Sequence, residues 1–86
     1  MRLKKREPLE IYTAILAILI EEPRGPTRLA QACNINYGRM SGLLAKLLDK
    51  GLIRREDTVG QGVFAITEVG YEVYRLWGEL RGRMPI

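Results

Sequence analysis

The 86-residue sequence contains no histidine and one cysteine, Cys33. Without imidazoles, histidine-based metal sites, Ser-His-Asp chemistry and a histidine pH switch are excluded. A lone cysteine excludes an intramolecular disulfide framework, and Cys33, near the end of a short helical pattern, reads as a small buried hydrophobe. No phosphate-cradling glycine loop is present and no acid pair sits in a glycine-framed setting. Nothing assembles an enzymatic mechanism, so the chain reads as a non-enzyme without cofactor or metal. The longest apolar run, Ile11 to Ile20, has ten residues and includes Thr13. That is half of the roughly 20 needed to span a bilayer. The basic N-terminus lacks the apolar run of a signal peptide. A cytoplasmic, nucleoid-associated location with no membrane partner is therefore expected.

What is there is one small domain's worth of chain, with its charge strongly segregated. Residues 1–6 hold four bases and no acid, whereas residues 7–22 hold four acids and no base. From Pro23 to Arg55, seven bases oppose Asp49 alone, giving +6 in a chain whose net charge is +4. Solvated surfaces usually mix signs, so this segregation favours a polyanionic partner.

The pattern divides the chain into a basic arm (1–7), a folded domain (8–82) and a short tail (83–86). Pro8 and the acids beside it suit the first turn of a helix over about 8–22, ended by Pro23 and Gly25. Its middle, IYTAILAILI, is apolar nearly all round, so it needs cover on two sides. Arg24-Gly25-Pro26 forms a turn with room for a single bridging strand residue. Thr27 is the expected N-cap of a second helix, about 28–33, burying Leu29 and Ala32. Asn34-Ile35-Asn36 then turns the chain, with Asn36 capping a third helix over about 37–50. Met40, Leu43, Leu44, Leu47 and Leu48 give that helix a clear core stripe, and Gly51 stops it. Leu52 to Arg55 and Val63 to Ile66 read as strands around a polar tip. Thr67 caps a last helix over about 68–82, with Val69, Val73, Leu76, Trp77 and Leu80 on its apolar side.

The segment LAQACNINYGRMSGLLAKLLDKGLI, followed by FAITEVG, resembles small archaeal winged helix-turn-helix DNA-binding proteins. More broadly, it is similar to regulators of the multiple-antibiotic-resistance and PadR-like kind. The resemblance covers about residues 9–80, and its markers are the L-x-x-K-G-L-I stop and the I-T-x-x-G entry to the final helix. It implies an α+β, mostly α fold: a three-helix core, a two-stranded wing and an extra C-terminal helix used for dimerisation. It also implies a dimeric transcriptional regulator binding double-stranded DNA. The recognition helix, about 37–50, would lie in the major groove, and the wing, about 54–64, on the backbone or minor groove.

On this sequence the candidate DNA contacts are Arg28, Asn36, Tyr37, Arg39, Ser41, Lys46, Arg54, Arg55 and Gln61. Arg39 is the expected base reader, because a guanidinium can bond O6 and N7 of guanine together. Arg28, near the start of the second helix, suits a phosphate. One departure from related proteins is Gly42, midway along the recognition helix, where a glycine costs about 1 kcal/mol relative to alanine. The candidate dimer interface is Ile11, Ile15, Ile18, Val73, Leu76, Trp77 and Leu80, because both terminal helices look too apolar to stand alone. The same surfaces suit a second reading, a winged-helix protein-interaction module in a transcription or repair assembly. The sequence assigns no small-molecule effector.

Overall fold

The computed structural model describes residues 8–58 and 61–83. The expected basic arm, the last residues of the tail and the Gln61 side chain lie outside the described residues. Helix α1 spans Pro8–Glu21, α2 Pro26–Cys33 and α3 Tyr37–Asp49; strands β1 (Ile53–Thr58) and β2 (Gln61–Ile66) precede helix α4 (Glu68–Arg83). The strands pair antiparallel with Ile53 opposite Ile66, Arg55 opposite Phe64 and Asp57 opposite Gly62. Three helices and a two-stranded ribbon, with a fourth helix returning over the first, make the mostly helical α+β arrangement read from the sequence.

One core holds the elements together. It takes Ile11, Ile15, Leu16 and Leu19 from α1, Leu29, Ala30 and Cys33 from α2, and Met40, Leu43, Leu44 and Leu47 from α3. Ile53 and Phe64 close it from the ribbon. The expected stripe of α3 is thus the one that is buried, with Leu48 at its edge. In α2 the phase differs from the expectation: Ala30 is buried and Ala32 exposed. Eight residues are too few turns for composition to fix which face turns inward.

The caps explain where the helices begin and end. Helix α2 starts two residues before the expected position. Gly25 is its N-cap, without a side-chain cap bond, and Pro26 occupies the first turn. Proline brings a preset φ and no orphan N–H to that position, so Thr27 is not needed as a cap. Asn34 ends α2 in the left-handed conformation (φ 58°, ψ 46°), which a short polar side chain tolerates. Asn36 caps α3 as expected, its Oδ1 accepting from the Arg39 N–H at 2.7 Å. Gly51, at φ 76°, follows the end of α3.

Thr67 links this end of α3 to the start of α4. Its hydroxyl donates to the Gly51 carbonyl at 2.7 Å and accepts from the Gly70 N–H at 3.0 Å. Its own N–H donates to the Leu52 carbonyl at 3.1 Å. Helix α4 then packs Tyr74 against the core on the α1 side. Between α1, the end of α3 and α4 lies an apolar hollow of about 310 Å³, with Tyr12, Leu16, Leu47, Tyr74 and Trp77 among its walls. The second flank of α1 is therefore partly covered within the chain, which explains how so apolar a helix is accommodated.

The flank of α4 next to this hollow is largely uncovered. Val69, Val73, Leu76 and Leu80 are 56%, 41%, 50% and 53% exposed. Their spacing of four, three and four residues is that of a coiled-coil seam. Arg75, on the side of α4 that borders α1, pairs with both Glu72 and Glu79. The hydrogen bond that Arg75 donates to Glu72, with the charges of both acids, raises the Arg75 pKa above its usual value. Among the described residues, no helix is long and apolar enough to cross a membrane.

Candidate nucleic-acid interface

Helices α2 and α3 meet through the three-residue turn Asn34–Asn36, which buries part of Ile35 and leaves the outer side of α3 in solvent. With Met40, Leu43, Leu44 and Leu47 fixed inward, helical geometry decides where the rest go. Gly38, Gly42 and Ala45 follow the outermost line, and all three are exposed. Arg39 and Lys46 flank that line on one side. Tyr37 and Ser41 flank it on the other, facing the ribbon. An added Cβ at Gly42 would meet nothing within 4 Å, so this glycine serves no packing inside the chain.

The ribbon is attached to this unit at one point. Arg24 and Phe64 form an isolated antiparallel bridge. They exchange both backbone bonds, Arg24 N–H to Phe64 O at 3.1 Å and Phe64 N–H to Arg24 O at 2.8 Å. The single bridging residue expected at Arg24–Pro26 is therefore Arg24. A strand residue that gives both polar groups to one neighbour presents a non-hydrogen-bonded pair to the other, where side chains lie closer. The residue on that other side is Arg55. Its guanidinium carbon sits 5.4 Å from the Phe64 ring centroid, a cation–π contact that holds the charge against the ribbon.

The two adjacent wing arginines end up in different surroundings. Side chains alternate across a strand, so Arg54 and Arg55 leave opposite faces. Arg54 is bonded to Glu56 at 2.5 Å and reaches the Ile66 carbonyl at 3.5 Å. Arg55 instead borders a cleft of about 170 Å³ between α3 and the ribbon, whose walls include Tyr37, Ser41, Leu44, Leu48 and Phe64.

Of the expected DNA contacts, Arg28, Asn36, Tyr37, Arg39, Ser41, Lys46, Arg54 and Arg55 are all exposed. They come from α2, the turn, α3 and β1, and the fold gathers the group Tyr37, Ser41 and Arg55 at one cleft. Asn36 has its carboxamide oxygen committed to the cap, leaving its NH2 group outward. Arg28, Arg39, Lys46 and Arg55 carry no carboxylate partner among the described residues, in contrast to Arg24, Arg54 and Arg75. Lys46 and Lys50 also border the hollow beside Trp77.

The expected dimer residues divide. Ile11 and Ile15 are 1% and 0% exposed, because α1 turns them into the chain's own core. They present no surface to a partner, which corrects the expectation for these two. Ile18 is half-buried against the core, and Trp77 is half-buried between α1 and α4. Val73, Leu76 and Leu80 remain outward, and Val69, read from the sequence only as apolar, joins them. The cleft and the Arg55–Phe64 stack were absent from the sequence reading. The signal that could have found them is strand register: extending both strands toward the tip sets Arg55 opposite Phe64.

The sequence profile of the winged helix-turn-helix family matches residues 5–84. No curated protein sequence matches the chain. Among solved structures, the chain is similar to the transcriptional regulator BldR from Sulfolobus solfataricus, with TM-score 0.78 and 28% identity. That match covers 85% of this chain and 55% of BldR. It is similar also to Sco3205, a MarR family transcriptional regulator from Streptomyces coelicolor solved in complex with DNA. There the TM-score is 0.68 and identity 38%, over 77% of this chain and 45% of Sco3205. The S. aureus MepR–DNA complex shares the fold, with TM-score 0.76, 19% identity, and 86% and 64% of the two chains covered. The chain thus spans about half the length of BldR and Sco3205.

Proposed function

As the chain belongs to the winged helix-turn-helix family, we propose that it is a dimeric transcriptional regulator that binds double-stranded DNA. In this reading α3 enters the major groove and the ribbon lies along the backbone or minor groove. The observation that carries it is the set of exposed cations without carboxylate partners among the described residues, Arg28, Arg39, Lys46 and Arg55, spread over α2, α3 and β1. Charges left unpaired on one contiguous unit match a chain of phosphates better than they match ordinary solvation. Similarity to Sco3205, which was solved bound to DNA, supports the same assignment.

Arg39 is the base-reading residue of this proposal, since it lies beside the outermost line of α3 with no acid to hold it back. Arg28 and Lys46 take phosphates. The uncovered seam of α4 supports the dimer: Val69, Val73, Leu76 and Leu80 from two chains would cover each other. Two recognition helices would then address half-sites about 34 Å apart.

The test is a salt titration of duplex affinity using the full chain. Several phosphate contacts make the logarithm of affinity fall steeply with the logarithm of salt concentration, by about 0.9 per contact. A slope near zero with any duplex overturns the reading. The exposed α4 seam equally suits a different protein chain, the interaction-module reading. Sedimentation separates the two: a stable homodimer supports the regulator, and a monomer that captures no second copy supports the adaptor.

A further inference from the structure

We propose that Tyr37, Ser41 and Arg55 form a seat for one phosphodiester group of a duplex strand, and that the adjacent Arg54 takes no part in DNA binding. The inference rests on the duplex-binding reading above and assigns the chemistry of one part of that surface. Its basis is the cleft between α3 and the ribbon. The residues in its walls that carry polar side chains are Tyr37, Ser41 and Arg55, and none of its described walls is an acid. All three can donate hydrogen bonds, and the guanidinium can do nothing else. Such a set suits an anion with several acceptor oxygens and disfavours a cation.

The remaining walls strengthen the assignment. Pro26, Leu44, Leu48 and Phe64 supply apolar surface, which lowers local screening and makes a charge-assisted bond stronger than it would be in open water. Tyr37 and Ser41 stand one turn apart on α3, on the side that borders the cleft. Arg55 closes the other side, its guanidinium steadied by the Phe64 ring. The volume, about 170 Å³, admits a phosphate with its attached sugar carbons but not a base pair. In the duplex-binding reading, a strand passing from the groove occupied by α3 toward the ribbon would cross this seat.

Arg54 fails the same conditions. It leaves the opposite strand face, and its guanidinium already bonds Glu56 and approaches the Ile66 carbonyl. Contact with a phosphate would release Glu56 beside the same phosphate, a like-charge arrangement that cancels the gain. Of two neighbouring arginines indistinguishable in sequence, the fold leaves one available.

The experiment is fluorescence anisotropy of a labelled duplex with the full-length protein at a series of salt concentrations. Arg55→Ala is expected to weaken binding about tenfold at moderate salt and to lower the salt slope by about 1. Arg54→Ala is expected to change affinity less than about twofold and to keep the slope. Arg55→Lys keeps the charge but loses the planar fork, so it is expected to keep the slope with weakened affinity, and it guards against loss of folding in the alanine variant. A wild-type chain that binds no duplex overturns both this inference and the functional reading beneath it. A wild type that binds, with a slope indifferent to Arg55→Ala or reduced by Arg54→Ala, overturns the seat alone. Saturable micromolar binding of inorganic phosphate, abolished in Arg55→Ala, would reassign the seat to a free anion and likewise overturn it.

Discussion

The Cβ that Gly70 lacks would lie 2.0 Å from the carbonyl oxygen of Leu52 and 2.9 Å from Ile66 Cγ1. The obstacle is main chain, held in place because that same carbonyl accepts the Thr67 N–H. Helix α4 can cross the root of the ribbon only with a glycine at this turn. Gly70→Ala is expected to cost about 1–3 kcal/mol or more, through displacement of α4. Chemical denaturation compared with wild type checks this, and an unchanged midpoint would refute it.

Asn36 has two separable roles. As an N-cap, Asp serves as well as Asn and suits the helix dipole better, whereas Ala forfeits about 1 kcal/mol. Asn36→Asp is therefore expected to retain or raise the melting temperature while weakening duplex binding, because it adds a negative charge beside the proposed phosphates. Asn36→Ala is expected to lower stability first. Melting curves and anisotropy on the same two preparations read both effects, and parallel losses in the Asp variant would contradict the separation.

Leu76 sits in the middle of the uncovered α4 seam at 50% exposure. A charge there disturbs little inside the chain but is buried without a partner once a second copy covers it. Leu76→Glu is expected to leave the circular dichroism spectrum intact and to give a monomer in sedimentation velocity. Affinity for a two-half-site duplex should fall with it. A variant that stays dimeric would show that the copies meet elsewhere.

Gly42 lies in the middle of an exposed helix face with open space around its absent Cβ. Gly42→Ala is expected to raise stability by about 1 kcal/mol through helix propensity alone. The gain would appear as a higher denaturation midpoint with an unchanged slope. A loss of stability would mean that the outward face of α3 is not as open as described.

Much of this architecture was legible in the sequence, for identifiable reasons. The stripe from Met40 to Leu48 is long enough for its period to fix a face, and Asn36, Gly51 and Thr67 are residues whose caps depend on local chemistry alone. Elsewhere the information was not local. Pro26 and Thr27 are both start signals, and only the backbone of Gly25 decides between them. Glu56, Asp57 and Thr58 read as a polar tip, yet they pair with β2, because a ladder is made by main chain and an exposed ribbon need not alternate in polarity. An all-round apolar α1 cannot declare which side meets its own core, so Ile11 and Ile15 were open to two readings. The cleft depended on strand register and on α3's rotation together, and no single segment encodes it.

The bridge between Arg24 and Phe64 has a consequence for how a duplex would be accommodated. Its two hydrogen bonds clamp the base of the ribbon to the segment that leads into α2. The gap between α3 and the ribbon root is thereby held at a set width, like the jaws of a gauge. In the proposed complex the protein does not close on its target. The duplex adjusts its own groove to fit, and sequences that deform cheaply are favoured even at positions no side chain touches.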